Sequence, residues 1–191
     1  MALAAPTQVS GSYNVTFGFD GAFSATPRGL IPAVTSTSAV ATGGHVDIPV
    51  TVPAGTTYAR FSLFDTEVSQ ASDLDMEVYN PAGTLVGASG GATTAEEVNL
   101  PNPAAGTYMV RVVGFAVPVG SANFKLFSWA LGSAAAGNMA VTAPAVAVTG
   151  QTDAIGITTS GLTSGIKYLG SVVYGGPAGL PSPTIVRIDT P

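Results

Sequence analysis

The sequence has no cysteine among its 191 residues, which removes disulfide staples and thiol chemistry together. It has a single histidine, His45, so zinc sites assembled from Cys and His are excluded. Charge is scarce: six basic and eleven acidic residues make up 9% of the chain, against ~25% in an average soluble domain. Nucleic acid, which selects clustered Lys and Arg, is a poor partner for so few cations. No run of 18 or more apolar residues occurs, so no membrane-spanning helix is expected. Met1 to Pro6 has neither a basic n-region nor a long apolar h-region, and is not read as a signal peptide. Helical spacing is almost absent, and 24 glycines and 14 prolines interrupt the chain too often for long helices.

What is present is period-two alternation, the pattern of strands with one buried face. Tyr13, Val15, Phe17 and Phe19 alternate with polar or small residues, as do Val46, Ile48, Val50 and Val52, then Ala59, Phe61 and Leu63. The cleanest stretch sets Leu74, Met76 and Val78 against Asp75, Glu77 and Tyr79. Further strands are expected around Tyr108 to Val112, Phe124 to Leu126, Tyr168 to Tyr174 and Ile185 to Ile188. Turn signals separate them: Pro53-Ala54-Gly55, Asn80-Pro81-Ala82-Gly83, Asn102-Pro103 and Ala105-Gly106. Proline fixes φ at the first turn position and glycine accepts the positive φ that follows. Short strands at this spacing predict an all-β chain with a β-sandwich or jelly-roll-like central domain.

Two composition shifts suggest boundaries, the Thr35 to Gly44 run of Thr, Ser, Ala and Gly, and Gly132 to Asn138, which reads GSAAAGN. They predict three parts: residues 1–44 as the tail of an upstream sandwich plus linker, 45–131 as the central sandwich, and 132–191 as a linker and a partial fibronectin-type-III-like β segment. The two flanks are short for independent cores, so the second either folds as such a segment or pairs with the first.

The run Asp73-Leu-Asp-Met-Glu-Val-Tyr-Asn-Pro-Ala-Gly-Thr84, the pair Glu96-Glu97, and then Pro103-Ala-Ala-Gly-Thr-Tyr-Met-Val-Arg-Val112 together resemble the bacterial pre-peptidase C-terminal domain, a β-sandwich module appended to secreted proteases. The flanking stretches Ser160-Gly-Leu-Thr-Ser-Gly-Ile-Lys-Tyr-Leu-Gly170 and Thr184-Ile-Val-Arg-Ile-Asp-Thr190 are similar to the C-terminal region of large secreted subtilisin-like serine proteases. The resemblance implies a non-catalytic accessory region of an exported bacterial protease, joined to an upstream catalytic domain and serving substrate attachment, secretion or stabilisation. Two alternatives stand beside it: a cell-surface adhesive module for protein fibres or polysaccharide, and a chaperone-like tail removed on maturation.

A subtilisin-like catalyst needs a Ser nucleophile, a His base and an Asp to orient it. His45 follows Gly43-Gly44 and precedes a strand, with Asp47 near it in sequence, and reads as a solvated loop histidine. Between residues 61 and 110 the acids Asp65, Glu67, Asp73, Asp75, Glu77, Glu96 and Glu97 occur with no Lys or Arg among them. Such a local negative field suits a cation, a basic partner or solubility. Calcium takes six to eight oxygen ligands, and Asp73, Asp75, Asn80, Glu96 and Glu97 are the candidates for it; the chain requires no other cofactor. Glu96 and Glu97 cannot flank one bond from an extended strand, because neighbours point to opposite faces. Phe127 and Trp129 share one parity of a strand whose other parity carries Phe124 and Leu126. If the latter pair faces the core, the former either offers an aromatic contact for a protein fibre or sugar or is covered by the C-terminal flank.

Overall fold

The computed structural model describes residues 8–177, 180 and 182–191; Met1 to Pro6 lie outside them. The chain begins with β1 (Ser10–Thr16), β2 (Gly21–Ala22) and β3 (Ser24–Pro32). The middle contains β4 (Val34–Ala41), β5 (His45–Val52), β6 (Tyr58–Ser62), a 3-10 turn (Asp65–Glu67), β7 (Asp73–Tyr79), β8 (Leu85–Ser89), β9 (Glu97–Pro101), β10 (Gly106–Ala116) and β11 (Ser121–Leu131). The last part holds β12 (Met139–Thr142), β13 (Val146–Ala147), β14 (Thr152–Thr159), β15 (Lys167–Gly175) and β16 (Thr184–Asp189). The fold is all-β, built from antiparallel sheets. Among the described residues no helix is long and apolar enough to cross a membrane.

Two compact units result, Ala33–Gly132 and a discontinuous one made of Met1–Pro32 with Ser133–Pro191. In the first, β4 pairs with β11, β5 with β10, β6 with β9 and β7 with β8. These pairings trace a long antiparallel ribbon folded double at the β7–β8 turn. Rolling the ribbon adds the β11–β6 and β10–β7 pairings. Two four-stranded sheets follow, β5-β10-β7-β8 and β4-β11-β6-β9, which is a jelly roll. Their inner faces share one core, in which Leu74, Met76, Val78, Val110, Val112, Ala59 and Ala122 are wholly buried and Phe61, Phe124 and Leu126 nearly so. Burying each large aliphatic of this set is worth ~1.5–3 kcal/mol.

The Thr35 to Gly44 run, expected as a linker, is mostly strand: β4 pairs with β11 from Val34↔Ser128 to Ala41↔Ser121. It is an edge strand rich in β-forming Thr and Val, and it places Val40 in the core. The junction after it is tight. Gly43 donates to the Gly114 carbonyl at 2.8 Å and Gly114 donates to that of Gly44 at 3.0 Å, where β10 bulges between Gly114 and Ala116.

In the second unit the C-terminal strands do not form sheets among themselves alone. β14 lies between β1 and β12, β15 lies between β3 and β16, and β13 pairs with β2. The Gly132 to Asn138 stretch is tied to β3: Gly29 donates to the Ala134 carbonyl, Ala136 donates back to that of Gly29, and the Asn138 amide brackets Leu30 at 2.8 and 3.0 Å. Two apolar clusters fill this unit, one around Leu30, Leu162 and Val172 and one around Phe17, Phe23 and Ile155. The Tyr13 and Tyr174 hydroxyls hydrogen-bond at 2.8 Å, and Tyr174 continues to Thr184. Burial, helped by the Tyr174 hydrogen bond, pushes the Tyr13 phenol well above its ordinary range.

Candidate functional site

Strand β7 has its apolar residues facing inward, so its acids all reach the outer face of the β5-β10-β7-β8 sheet. There Arg111 on β10, opposite both Asp47 and Glu77 in the ladder, clasps Asp47 with two hydrogen bonds of 2.8 and 3.0 Å. Its guanidinium lies 5.3 Å from the centre of the Tyr79 ring, and the Tyr79 hydroxyl donates to Glu77 at 2.6 Å. The bidentate contact from Arg111 holds the Asp47 carboxyl below its ordinary range. His45 opens β5 on this face, exposed, opposite Val113.

The five residues proposed for calcium do not assemble into one site. Asn80 is consumed by its turn: its side-chain oxygen accepts from Ala82 at 3.0 Å and Thr84 at 2.9 Å, with Gly83 at a φ of 78°. Glu97 faces outward from β9 and meets Arg60 at 3.1 Å. Glu96, one residue earlier, points the other way and is 4% exposed. It accepts from the Gly91 amide at 2.6 Å and from the Ser89 hydroxyl. Asp75 lies beside it, within reach of a side chain at Gly90. Burial, and then the charges of Asp73, Glu96 and Glu77, raise the Asp75 carboxyl above its ordinary value. Among the described residues no group of three or more His, Cys, Asp or Glu is placed to hold a metal ion. These residues do not fit a carboxylate-rich calcium cage.

Phe127 and Trp129 do not provide an exposed aromatic surface either. They are 6% and 2% exposed, although Phe124 and Leu126 do take the core parity. Phe127 packs edge-on to Phe64 at 5.2 Å and stacks near Trp129 at 6.2 Å. The outer face of β11 is thus covered at Phe127 and Trp129, while Asn123 and Lys125 on the same face stay exposed, a difference that strand parity alone does not reveal.

One end of the jelly roll has a feature that sequence reading passed over. Where β7 begins, the 3-10 turn, the loop between β8 and β9, and the β10–β11 hairpin surround a cleft of about 560 Å³. Asp65 and Asp73 line it together with Val68, Ala71, Ala116 and Pro118. Asp65 accepts from the Thr94 amide at 2.8 Å, and the Thr94 hydroxyl donates to the Ser72 carbonyl at 2.8 Å. The Oδ1 atom of Asp73 is buried and has no hydrogen-bond partner. Beside the cleft the hairpin tip presents Phe115 and Val119, 66% and 75% exposed. The acid-only composition of residues 61–110 pointed to this charge, but Asp65 meets its loop 29 positions away, and no local pattern marks such a contact.

An antiparallel jelly roll with an acidic cleft at one end defines a β-sandwich module. The family model of the bacterial pre-peptidase C-terminal domain, a non-catalytic domain, matches residues 40–114. The match runs from the end of β4 through most of β10. No curated protein matches the chain.

Proposed function

We propose that this chain is a non-catalytic accessory region of an exported bacterial subtilisin-like protease, and that its role is attachment to substrate. The similarity of residues 40–114 to a domain that follows bacterial peptidases carries this reading. Attachment is favoured over secretion or stabilisation by the hairpin tip, where Phe115 and Val119 expose apolar side chains next to an acidic cleft. Isolated apolar residues are ordinary on surfaces, but a held apolar tip beside unpaired charge suits a contact with another macromolecule. An adhesive module outside any protease is the second reading, since the same tip would serve it.

Co-sedimentation separates the possibilities. The full chain is expected to pellet with insoluble collagen fibres and to lose that property on Phe115→Ser with Val119→Ser. Failure to pellet with the fibres refutes attachment to insoluble protein, and pelleting only with microcrystalline cellulose favours the adhesive reading. For the parent protease, deleting this region is expected to lower activity on insoluble substrate alone; equal loss on soluble substrate favours stabilisation instead.

A further inference from the structure

We infer that the free edge of β4, with the crevice behind it, is a docking site for an uncharged, extended polypeptide segment that adds to β4 as a further strand and places one large apolar side chain between the two sheets. The inference goes beyond the attachment reading and does not rest on it. Among the described residues β4 pairs with β11 alone, β5 with β10, β8 with β7 and β9 with β6, so the jelly roll has four edges. Natural sheets protect such edges with proline, charge, bulges or brevity. β5 carries Asp47 and Pro49, both exposed; β9 carries Glu97 and Pro101; β8 is five residues long and bulges against β7. β4 has none of these guards. Its eight residues include no proline and no charge, and no Asp, Glu, Lys or Arg occurs between Arg28 and Asp47. Every second residue of an edge strand turns its N–H and C=O away from its neighbour, and an extended backbone meets such a row at matching spacing.

The crevice supplies the place for a side chain. β4 and β5 are edges of opposite sheets, joined by the tight turn at Gly43 and Gly44. Away from that turn a crevice of about 290 Å³ opens between the sheets, lined by Val34 and Ser36 of β4, Val50 and Val52 of β5, Phe61 of β6 and Ser128 of β11. Ser36 and Ser128 hold inward positions on their strands, and their small side chains leave space that larger ones fill elsewhere in the core. The β8–β9 side of the sandwich is closed by contrast, since even a Cβ at Gly87 would collide with Val98. A dry cavity of roughly 150 Å³ accepts a benzene ring, so the crevice has room for one Leu or Phe side chain. No charged residue lines it, and a charged occupant would lose its water without gaining a partner. A second copy of the chain fits less well: pairing β4 to β4 rests on eight residues, against roughly 20–30 a side in stable complexes.

The test is an NMR titration of the isotope-labelled full chain with the peptide acetyl-Lys-Thr-Val-Thr-Leu-Thr-Val-Thr-Lys-amide, whose terminal lysines keep it soluble and whose centre is uncharged. Saturable shifts and slowed amide exchange are expected along Val34 to Ala41, with an affinity on the order of 0.1 mM. Trp129 contributes to the crevice wall, and its emission is expected to change in step. N-methylation of the five central residues of the peptide, or Asp in place of its Leu, is expected to weaken binding at least tenfold. In the protein, Thr37→Lys, which guards the edge, and Ser36→Leu, which fills the crevice, are each expected to do the same while preserving spectral dispersion. Equal binding of either altered peptide, shifts confined to other surfaces, or an unaltered affinity in either variant overturns the inference. In sedimentation of the chain alone, a dimer that Thr37→Lys dissociates gives the edge to a second copy and likewise overturns it.

Discussion

Replacing Glu96 with alanine tests how the acidic stretch is built, because Glu96 and Glu97 are adjacent in sequence and opposite in environment. Glu96 is nearly enclosed, and its two oxygens serve the Gly91 amide and the Ser89 hydroxyl. Alanine removes two hydrogen bonds to a charged acceptor, at ~1.5–3 kcal/mol each. Relief of repulsion with Asp75 returns part of that, so the net loss should be about 3 kcal/mol. Glu97 instead forms a partly exposed pair with Arg60, which keeps Asn99 at 2.7 Å and Tyr58 at 3.2 Å when Glu97 is removed. Its loss should cost no more than ~1 kcal/mol.

Urea unfolding followed by tryptophan emission reads this difference directly. Trp129 is the only tryptophan in the chain and sits in β11 of the same unit, so its signal belongs to the jelly roll. With a slope of about 2 kcal/mol per molar urea, Glu96→Ala should lower the midpoint by ~1.5 M and Glu97→Ala by at most ~0.5 M. Glu96→Gln, which retains one acceptor oxygen, should fall between them. A loss for Glu96→Ala no greater than that for Glu97→Ala would falsify the inward placement of Glu96.

Three further outcomes follow from the same structure. Gly114→Ala should destabilise the jelly roll by ~2–4 kcal/mol, because its Cβ falls 2.3 Å from the Ala41 carbonyl oxygen, a backbone atom; hydrogen exchange should show the Gly43 amide losing protection. Asp75→Asn should stabilise the chain near neutral pH. The raised Asp75 value means that wild-type stability is lowest above the folded pKa and recovers as pH falls through it, so the two midpoints should converge below about pH 4. Arg111→Ala should move the Asp47 carboxyl titration, followed by carbon NMR, up toward the ordinary value. The Asp47 contribution to stability is present above the unfolded pKa and is lost as pH falls through the lower folded one, and this loss should vanish in the variant.

Strand existence was legible in the sequence because alternation is local. Leu74, Met76 and Val78 reach the core, and Asp75, Glu77 and Tyr79 the outer face, as their parity dictates. The pairing was not legible, since β4 meets β11 across some ninety residues and nothing in either strand names its partner. Composition misled at Thr35 to Gly44, where small hydroxylated residues form an edge strand and not a linker. At Asn80 the turn signal marks a true turn, and the same turn commits the side chain to two backbone amides and leaves little for a cation. Phe127 and Trp129 show the limit of parity: it assigns a face, and burial depends on what else covers that face. The cleft around Asp65 and Asp73 was invisible for the same reason as the register, because its walls come from three loops far apart in the chain.

The interleaving of the two units has a consequence for the order in which the chain folds. Tyr13 on β1 pairs with Ile155 on β14, and in an extended chain that contact closes a loop of roughly 140 residues. The continuous unit can form first, and its β4–β11 pairing brings Val34 beside Ser128. The remaining loop then shrinks to roughly 50 residues, which lowers the closure cost by ~1 kcal/mol. The jelly roll thereby acts as a clasp for the strands that bracket it. During synthesis β1 and β3 wait unpaired until β14 and β15 emerge, and a chain stopped short of β14 leaves both edges open to other molecules.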